Sequence, residues 1–241
     1  MSVETAVGTN GKRPRLGWPM LKRLVMLLLF VVLWGGALFM AAGRLDWPRG
    51  WMCMGLYLLS IAMNVILVVW KNPGLIEERW KRHKGTKSFD KVFAVVYTPL
   101  AFGLPVVAGL DAARFGWSSM AFETLYVGAV LHVLGAVPIA WAMATNPYLE
   151  KTVRIQTERG HKVVTTGPYR MVRHPMYVGA ILQYVAVPLV LGSQWAYVPA
   201  GAAIIMFMVR TALEDRTLRK ELTGYEEYTR QTRYRLVPGV W

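Results

Sequence analysis

The chain has 241 residues, of which 54% are hydrophobic and 17% are charged, and its formal net charge is +14. A soluble domain ordinarily carries roughly 25% charged residues, so this composition excludes an ordinary soluble protein and indicates an integral membrane protein. The basic residues lie between long apolar runs, which favours membrane topology over nucleic-acid binding as the reason for the positive charge. The single cysteine, Cys53, lies within an apolar run, so the chain has neither a disulfide framework nor a metal-ligand spacing such as CxxC.

Six apolar runs are candidates for membrane-spanning helices, since a helix needs roughly 20 residues to cross a bilayer. They are residues 21–43, 51–70, 92–110, 122–144, 177–192 and 195–210. The short break around Ser193 predicts a tight helical hairpin between the last two runs. We therefore expect an all-α integral membrane protein with about six transmembrane helices.

The distribution of basic residues predicts the orientation of these helices. With the amino terminus in the cytosol, only Arg44, Arg49 and Arg114 lie outside, and 25 of the 28 Lys and Arg residues lie on the cytosolic side. Both termini are then cytosolic. We expect three parts: a disordered cytosolic tail, amino-terminal helices that give access to a substrate, and a carboxy-terminal core with a cytosol-facing cofactor pocket and a cytosolic tail. Their bounds are residues 1–17, 18–145 and 146–241.

Two of the four histidines lie in the amino-terminal parts of the chain. His83 is surrounded by basic residues, which favours a solvated side chain. His132 lies inside the fourth apolar run, where an ionisable group can be functional. We favour a hydrogen-bonded structural role for His132.

The stretch of residues 154–179 is polar, basic and aromatic, and it separates long apolar runs. Gly167-Pro168 predicts a turn, and Pro175 suits the first turn of a helix that begins at the membrane surface. The amino end of that helix would offer free N–H groups to a carboxylate or phosphate. Tyr169 and Tyr177 could place ring faces against a cation such as a sulfonium. A belt of interfacial side chains before a proline explains the same residue types, so the pattern leaves both interpretations open.

A second pattern lies at the end of the last apolar run, where Arg210 and Glu214 share one helix face. An exposed ion pair of little energetic value is one interpretation. In the other, Arg210 presents a two-pronged guanidinium to a substrate carboxylate, and Glu214 accepts from an amine or hydroxyl of a cofactor. The spacing does not decide between them.

The order of these motifs carries a family resemblance. The segment runs from Gln156 through His161-Lys-Val-Val164, Gly167-Pro-Tyr169 and Arg173-His-Pro-Met-Tyr177-Val-Gly179 to Arg210-x-x-x-Glu214 and Gly224-Tyr-Glu-Glu-Tyr228. It resembles the carboxy-terminal core of the isoprenylcysteine carboxyl methyltransferase family over about residues 146–241. Membrane phospholipid methyltransferases are related to that family, and sterol reductases carry a similar Arg-His-Pro-x-Tyr signature.

The resemblance implies S-adenosyl-L-methionine as cofactor, a lipophilic or prenylated acceptor, and membrane lipids as surroundings. The cofactor contacts that it implies are Gln156, His161, Lys162, Val163, Val164, Tyr169, His174, Pro175, Met176, Tyr177 and Glu214. Arg210 would face the substrate, so Arg210 and Glu214 form the expected catalytic pair. A carboxylate is ionised at pH 7 and needs no general base. Nitrogen or sulfur methylation, an NADPH-dependent reductase and a transport or binding protein remain the alternatives, although no paired broken helices favour transport.

Overall fold

The computed structural model of the chain describes residues 18–79 and 87–241. The predicted tail of residues 1–17 and His83 lie outside these ranges. Regular structure in the described residues is helical and contains no strand, which confirms the all-α class. The α-helices are α1 Trp18–Ala42, α2 Pro48–Lys71, α3 Pro73–Glu78, α4 Ser88–Ala108, α5 Thr124–Thr145, α6 Pro175–Leu191, α7 Tyr197–Glu221 and α8 Tyr225–Gln231.

Five of these segments are long and apolar enough to cross a membrane, namely those built on α1, α2, α4, α5 and α7. The span that contains α4 is extended by a π-helical segment, Gly109–Phe115, so that it covers 28 residues. Helix α6 is apolar but has only 17 residues. The chain is thus an integral membrane protein, and the six apolar runs correspond to five full-length helices and one shorter one.

Helices α5 and α6 pack with their backbones in close approach. A Cβ atom added to Gly135 would lie 2.8 Å from the Gly179 carbonyl oxygen, and one added to Gly179 would lie 2.6 Å from Ile139 Cγ1. Small residues permit such approach between membrane helices, where packing rather than water exclusion drives association. The contact fixes the amino end of α6 against α5.

One end of the bundle is closed by buried polar groups. Asp111 has no exposed surface. It accepts hydrogen bonds from the Ser118 hydroxyl and the Ser193 hydroxyl, both at 2.6 Å. Arg49 donates to Leu189 O at 3.0 Å and to Ala121 O at 2.8 Å, satisfying a carbonyl near the end of α6. These bonds fix the turn between α6 and α7, which lies where the sequence predicts it.

The interior of the bundle contains His132, which is fully buried on α5. Its Nε2 atom lies 3.1 Å from the Ser60 hydroxyl of α2, and its ring meets Tyr57 edge to face at 5.2 Å. This geometry supports the predicted structural role. Cys53 is 1% exposed in the same apolar core, as expected of a small apolar side chain.

Candidate functional site

A cavity opens at the end of the bundle where α6 begins. It contains about 770 Å³ of empty space, its open mouth included. The loop between α5 and α6 forms one wall, and the start of α6 forms another. Helices α7 and α8 complete the lining with Leu218, Tyr225 and Tyr228.

The cavity brings together nearly all of the site residues that the sequence indicates. Those that line it are His161, Lys162, Val163, Val164, Tyr169, His174, Pro175, Met176, Tyr177, Arg210 and Glu214. Gln156 does not line it. Its side chain is 1% exposed, donates to Tyr148 O at 2.7 Å and accepts from Arg159 Nη1, so Gln156 stabilises the loop behind the wall.

The amino end of α6 offers fewer free donors than the sequence suggests. Pro175 occupies the first helical turn and has no N–H group. The N–H groups of Tyr177 and Val178 donate to the His174 carbonyl at 3.0 and 3.3 Å. Among the described residues, the Met176 N–H group has no partner, so it is the donor that this helix end can give to a ligand.

Arg173 precedes the helix and is buried in an ion pair with Asp215 of α7, with Nε 2.8 Å from Oδ1. Its Nη1 atom donates to Thr232 O and Arg233 O at 2.8 and 2.7 Å. Arg235 also reaches Asp215, at 3.0 Å. The carboxy-terminal segment is therefore held against the start of α6. The sequence analysis did not select Asp215. The signal that could have indicated it is an acidic residue within a basic helix.

His174 lies between two carboxylates at the cavity wall. Its ring is parallel to that of Tyr177, with 5.8 Å between centroids and 5° between planes. Nε2 lies 3.5 Å from Asp215 Oδ1 and Nδ1 lies 3.9 Å from Glu214 Oε1, both longer than a good hydrogen bond. The stacked ring thus holds His174 at the cavity wall, with its Nε2 atom buried and without a hydrogen-bond partner among the described residues.

Arg210 and Glu214 have different partners. Arg210 is 9% exposed, and its Nη2 atom lies 2.8 Å from Asp90 Oδ1 and 2.7 Å from Lys151 O. Its Nε atom is buried and has no hydrogen-bond partner among the described residues. Glu214 accepts a hydrogen bond of 2.5 Å from the Tyr177 hydroxyl. The exposed ion pair between Arg210 and Glu214 is therefore not present in the described part of the chain.

Asp90 is a site residue that sequence reasoning missed. It lies in the first turn of α4, is 3% exposed, and is distant in sequence from the motifs around His174. The available signal was a single acidic residue at the start of an apolar run. The position of its partner on α7 could not be inferred from that signal.

Tyrosine rings supply much of the cavity surface, from Tyr148, Tyr169, Tyr177, Tyr225 and Tyr228. The Tyr169 hydroxyl accepts from Asn146 Nδ2 at 3.1 Å, and burial raises the pKa of Tyr169 above its usual value. The ring therefore stays neutral at pH 7. Neutral tyrosine rings beside a carboxylate can hold a cationic ligand.

His161 contributes a neutral donor on the opposite wall. Its Nδ1 atom accepts from the Gln156 N–H group at 3.3 Å, which places the ring proton on Nε2. Burial, followed by the positive charge of Arg159, lowers the pKa of His161 to about 4. At pH 7 the residue is therefore uncharged and can donate one hydrogen bond to a ligand.

Comparison with known proteins places the cavity in a recognised domain. The family model for phospholipid methyltransferases matches residues 124–223. A probable protein-S-isoprenylcysteine O-methyltransferase of Oryza sativa subsp. indica is 28% identical over 109 residues, which are 44% of this chain and 57% of that protein. The chain thus matches little more than half the length of this curated relative.

Two further relatives carry other names. The cobalt-zinc-cadmium resistance protein CzcN of Cupriavidus metallidurans is 29% identical over 132 residues, which are 51% of this chain and 56% of that protein. The Delta(14)-sterol reductase erg24 of Schizosaccharomyces pombe is 31% identical over 99 residues, which are 40% of this chain and 23% of that protein. Over residues 124–223 the chain is thus similar to phospholipid methyltransferases, and the plant relative adds a weaker similarity to isoprenylcysteine O-methyltransferases.

Proposed function

We propose that the chain transfers the methyl group of S-adenosyl-L-methionine to the carboxylate of a lipophilic, isoprenylcysteine-like acceptor. The observation that carries this proposal is Arg210, which lines the cavity and has a buried Nε atom with no hydrogen-bond partner among the described residues. An unsatisfied buried donor on a cation is costly, so an anionic group bound there would be favoured. The name of the plant relative is consistent with such an acceptor.

The cavity fits the proposed cofactor by residue type. S-adenosyl-L-methionine would supply an electrophilic methyl group on a positively charged sulfur. Tyr169 and Tyr177 present ring faces to a cation, and the Glu214 carboxylate accepts from an amine or hydroxyl. Val163 and Val164 line an apolar part of the wall, where a planar base would be shielded from water.

Arg210 would bind the acceptor through one oxygen. Each bidentate edge of a guanidinium includes Nη2, and this atom already contacts Lys151 O and Asp90. Nε then donates to one carboxylate oxygen, and the other oxygen remains free to attack. With S-adenosyl-L-methionine bound, that oxygen would take the methyl group, and the electron pair of the broken sulfur–carbon bond would remain with the departing sulfur. No proton is transferred. In this proposal, a contact through one oxygen replaces the two-pronged contact between Arg210 and the acceptor that the sequence suggests.

The proposed orientation has the cavity facing the cytosol, with the acceptor entering from the bilayer past the amino-terminal helices. The bias of basic residues supports it, since the topology expected from the sequence assigns 25 of the 28 Lys and Arg residues to the cytosolic side. Cysteine substitution at Lys162 and at Arg114 tests it, because the native Cys53 is 1% exposed. We expect a membrane-impermeant thiol reagent to label Lys162→Cys from the cytosolic side alone and Arg114→Cys from outside. Labelling of Lys162→Cys from outside contradicts the orientation.

The reaction is tested with purified protein, methyl-labelled S-adenosyl-L-methionine and a membrane lipid extract. Carboxyl methylation gives label that mild base releases as volatile methanol, whereas nitrogen or sulfur methylation gives label that base does not release. Calorimetry with S-adenosylhomocysteine and NADPH separates a methyltransferase site from a reductase site. Base-stable product, or binding of NADPH alone, contradicts the proposal.

A further inference from the structure

Asp90 connects three parts of the chain at the cavity. It lies in the first turn of α4, and its Oδ2 atom accepts from the Val153 N–H group at 2.5 Å in the loop between α5 and α6. Its Oδ1 atom lies 2.8 Å from Arg210 Nη2 of α7. Val153 and Arg210 both line the cavity. Asp90 therefore sets the position of two parts of the wall while remaining behind it.

Of these two described partners of Asp90, only Arg210 requires a charged carboxylate. A neutral oxygen, such as an amide carbonyl, would satisfy the Val153 N–H group equally well. A carboxylate that is 3% exposed is retained only where a cation and hydrogen-bond donors compensate its desolvation. Arg210 is the cation with which Asp90 forms an ion pair in the described part of the chain. The two charges thus form one unit.

The orientation of Arg210 is fixed by the same face of α4. Phe93 lies one turn after Asp90, and the guanidinium carbon of Arg210 lies 4.4 Å from the centre of its ring. The Tyr177 ring is 5.9 Å away. With Nη2 held by Asp90 and by Lys151 O, the remaining donors of the Arg210 guanidinium are on Nη1 and on the unpartnered Nε atom.

We propose that Asp90 is a positioning residue for the methyl transfer, which holds Arg210 so that an acceptor carboxylate binds through one oxygen. The proposal rests on the carboxylate acceptor proposed above. A second acceptor oxygen at Nη2 would lie beside Asp90 Oδ1, and repulsion between the two anionic oxygens excludes that arrangement. The second, nucleophilic oxygen of the acceptor therefore makes no contact with Arg210. Helix α4, which carries Asp90, lies outside residues 124–223 of the family match.

The proposal predicts a separation of kcat from KM in Asp90→Asn. The neutral side chain still satisfies the Val153 N–H group but no longer repels a second oxygen from Nη2. The acceptor then binds with both oxygens, which stabilises the ground state more than the transition state. We expect kcat to fall by about tenfold or more, KM for the acceptor to stay constant or fall, and affinity for S-adenosylhomocysteine to stay within about twofold.

A double-mutant cycle tests whether Asp90 acts through Arg210. Arg210→Lys alone should lose activity, and Asp90→Asn added to it should cause little further loss, because the group that Asp90 positions is already gone.

Asp111→Asn is the matched control, since Asp111 is a buried carboxylate at the other end of the same membrane span. We expect that variant to lower Tm while kcat and KM of the folded protein stay unchanged.

Three results would overturn the positioning role. The first is that folded Asp90→Asn keeps the wild-type kcat. The second is that kcat and the affinity for S-adenosylhomocysteine fall together, as they would in a structural defect. The third is that the losses of activity in the two single variants add up in the double variant. If the proposal of a carboxylate acceptor is wrong, the result is different, because the wild-type protein then gives a base-stable methylated product. The cycle, measured on whichever acceptor takes the label, then still decides whether Asp90 acts through Arg210.

Discussion

The Tyr177 hydroxyl donates a hydrogen bond of 2.5 Å to Glu214 Oε2, which joins the start of α6 to α7 within the cavity wall. Glu214 lies one helical turn after Arg210, yet its hydrogen-bond partner is on another helix. The two members of the expected catalytic pair are thus held by separate groups. Substitutions at Tyr177 and Glu214 should accordingly affect the cofactor, and those at Arg210 should affect the acceptor.

Glu214→Gln and Tyr177→Phe should weaken binding of S-adenosylhomocysteine. Removing a charge-assisted hydrogen bond costs roughly 1.5–3 kcal/mol, or about ten- to a hundredfold in affinity for Glu214→Gln. Tyr177→Phe keeps the ring and loses the hydroxyl that orients Glu214, so its loss should be smaller. Calorimetry measures both. Tyr184→Phe is the control, since that hydroxyl bonds to Tyr97 at 2.8 Å away from the cavity lining. Equal affinities in all three variants would remove Glu214 from the cofactor site.

His161 should make stability depend on pH in a defined window. Its folded-state pKa of about 4 lies below the ordinary value of 6.5. Between those values the unfolded chain binds a proton that the folded protein does not, so folding is less favourable as pH falls from about 6.5 to about 4. We expect Tm of the wild-type protein to fall more steeply in this window than that of His161→Asn. Identical slopes would mean that His161 titrates normally in the folded state.

Gly179→Ala should lower both stability and cofactor affinity. The new methyl group would lie 2.6 Å from Ile139 Cγ1, and closer still to the Gly135 carbonyl oxygen, so α6 must shift away from α5. Overpacking of this kind costs typically 1–3 kcal/mol. Gly201→Ala on α7 is the control, because a Cβ atom there meets nothing within 4 Å. Its helix propensity should improve by about 1 kcal/mol. An unchanged Tm in Gly179→Ala would show that α5 and α6 tolerate separation.

Asp215→Asn should release the carboxy-terminal segment. Asp215 is fully buried and lies within 3.5 Å of Arg173, Arg219 and Arg235. Breaking a buried ion pair typically costs 3–5 kcal/mol, because uncompensated charge remains. We expect a lower Tm and faster proteolysis after Arg233 or Arg235. The control is Asp46→Asn, whose exposed pair with Arg44 should leave Tm unchanged. Wild-type proteolysis in Asp215→Asn would contradict this role.

Much of the fold could be predicted from hydrophobic runs. Each run is a local property of the chain, and a bilayer requires every spanning segment to satisfy its own backbone hydrogen bonds within a helix. The boundaries were less accurate, since α4 is extended through the π-helical segment to Phe115 and α6 is shorter than the other spans. The polar side chain of Asp111 in the π-helical extension accepts a hydrogen bond from Ser193, a distant residue that no local pattern shows.

The sequence by itself determined the all-helical membrane class and the residue types that line the cavity, because helix formation and motif order are local along the chain. His174, Tyr177, Arg210 and Glu214, which it selected, line one cavity. Only the tertiary structure decided which charges pair. Glu214 is nearer to Arg210 in sequence than Asp90 is, but the ion pair forms where α4 and α7 come together. A buried charge is stabilised by whichever counter-charge packing brings within a few ångströms, and packing depends on the whole bundle.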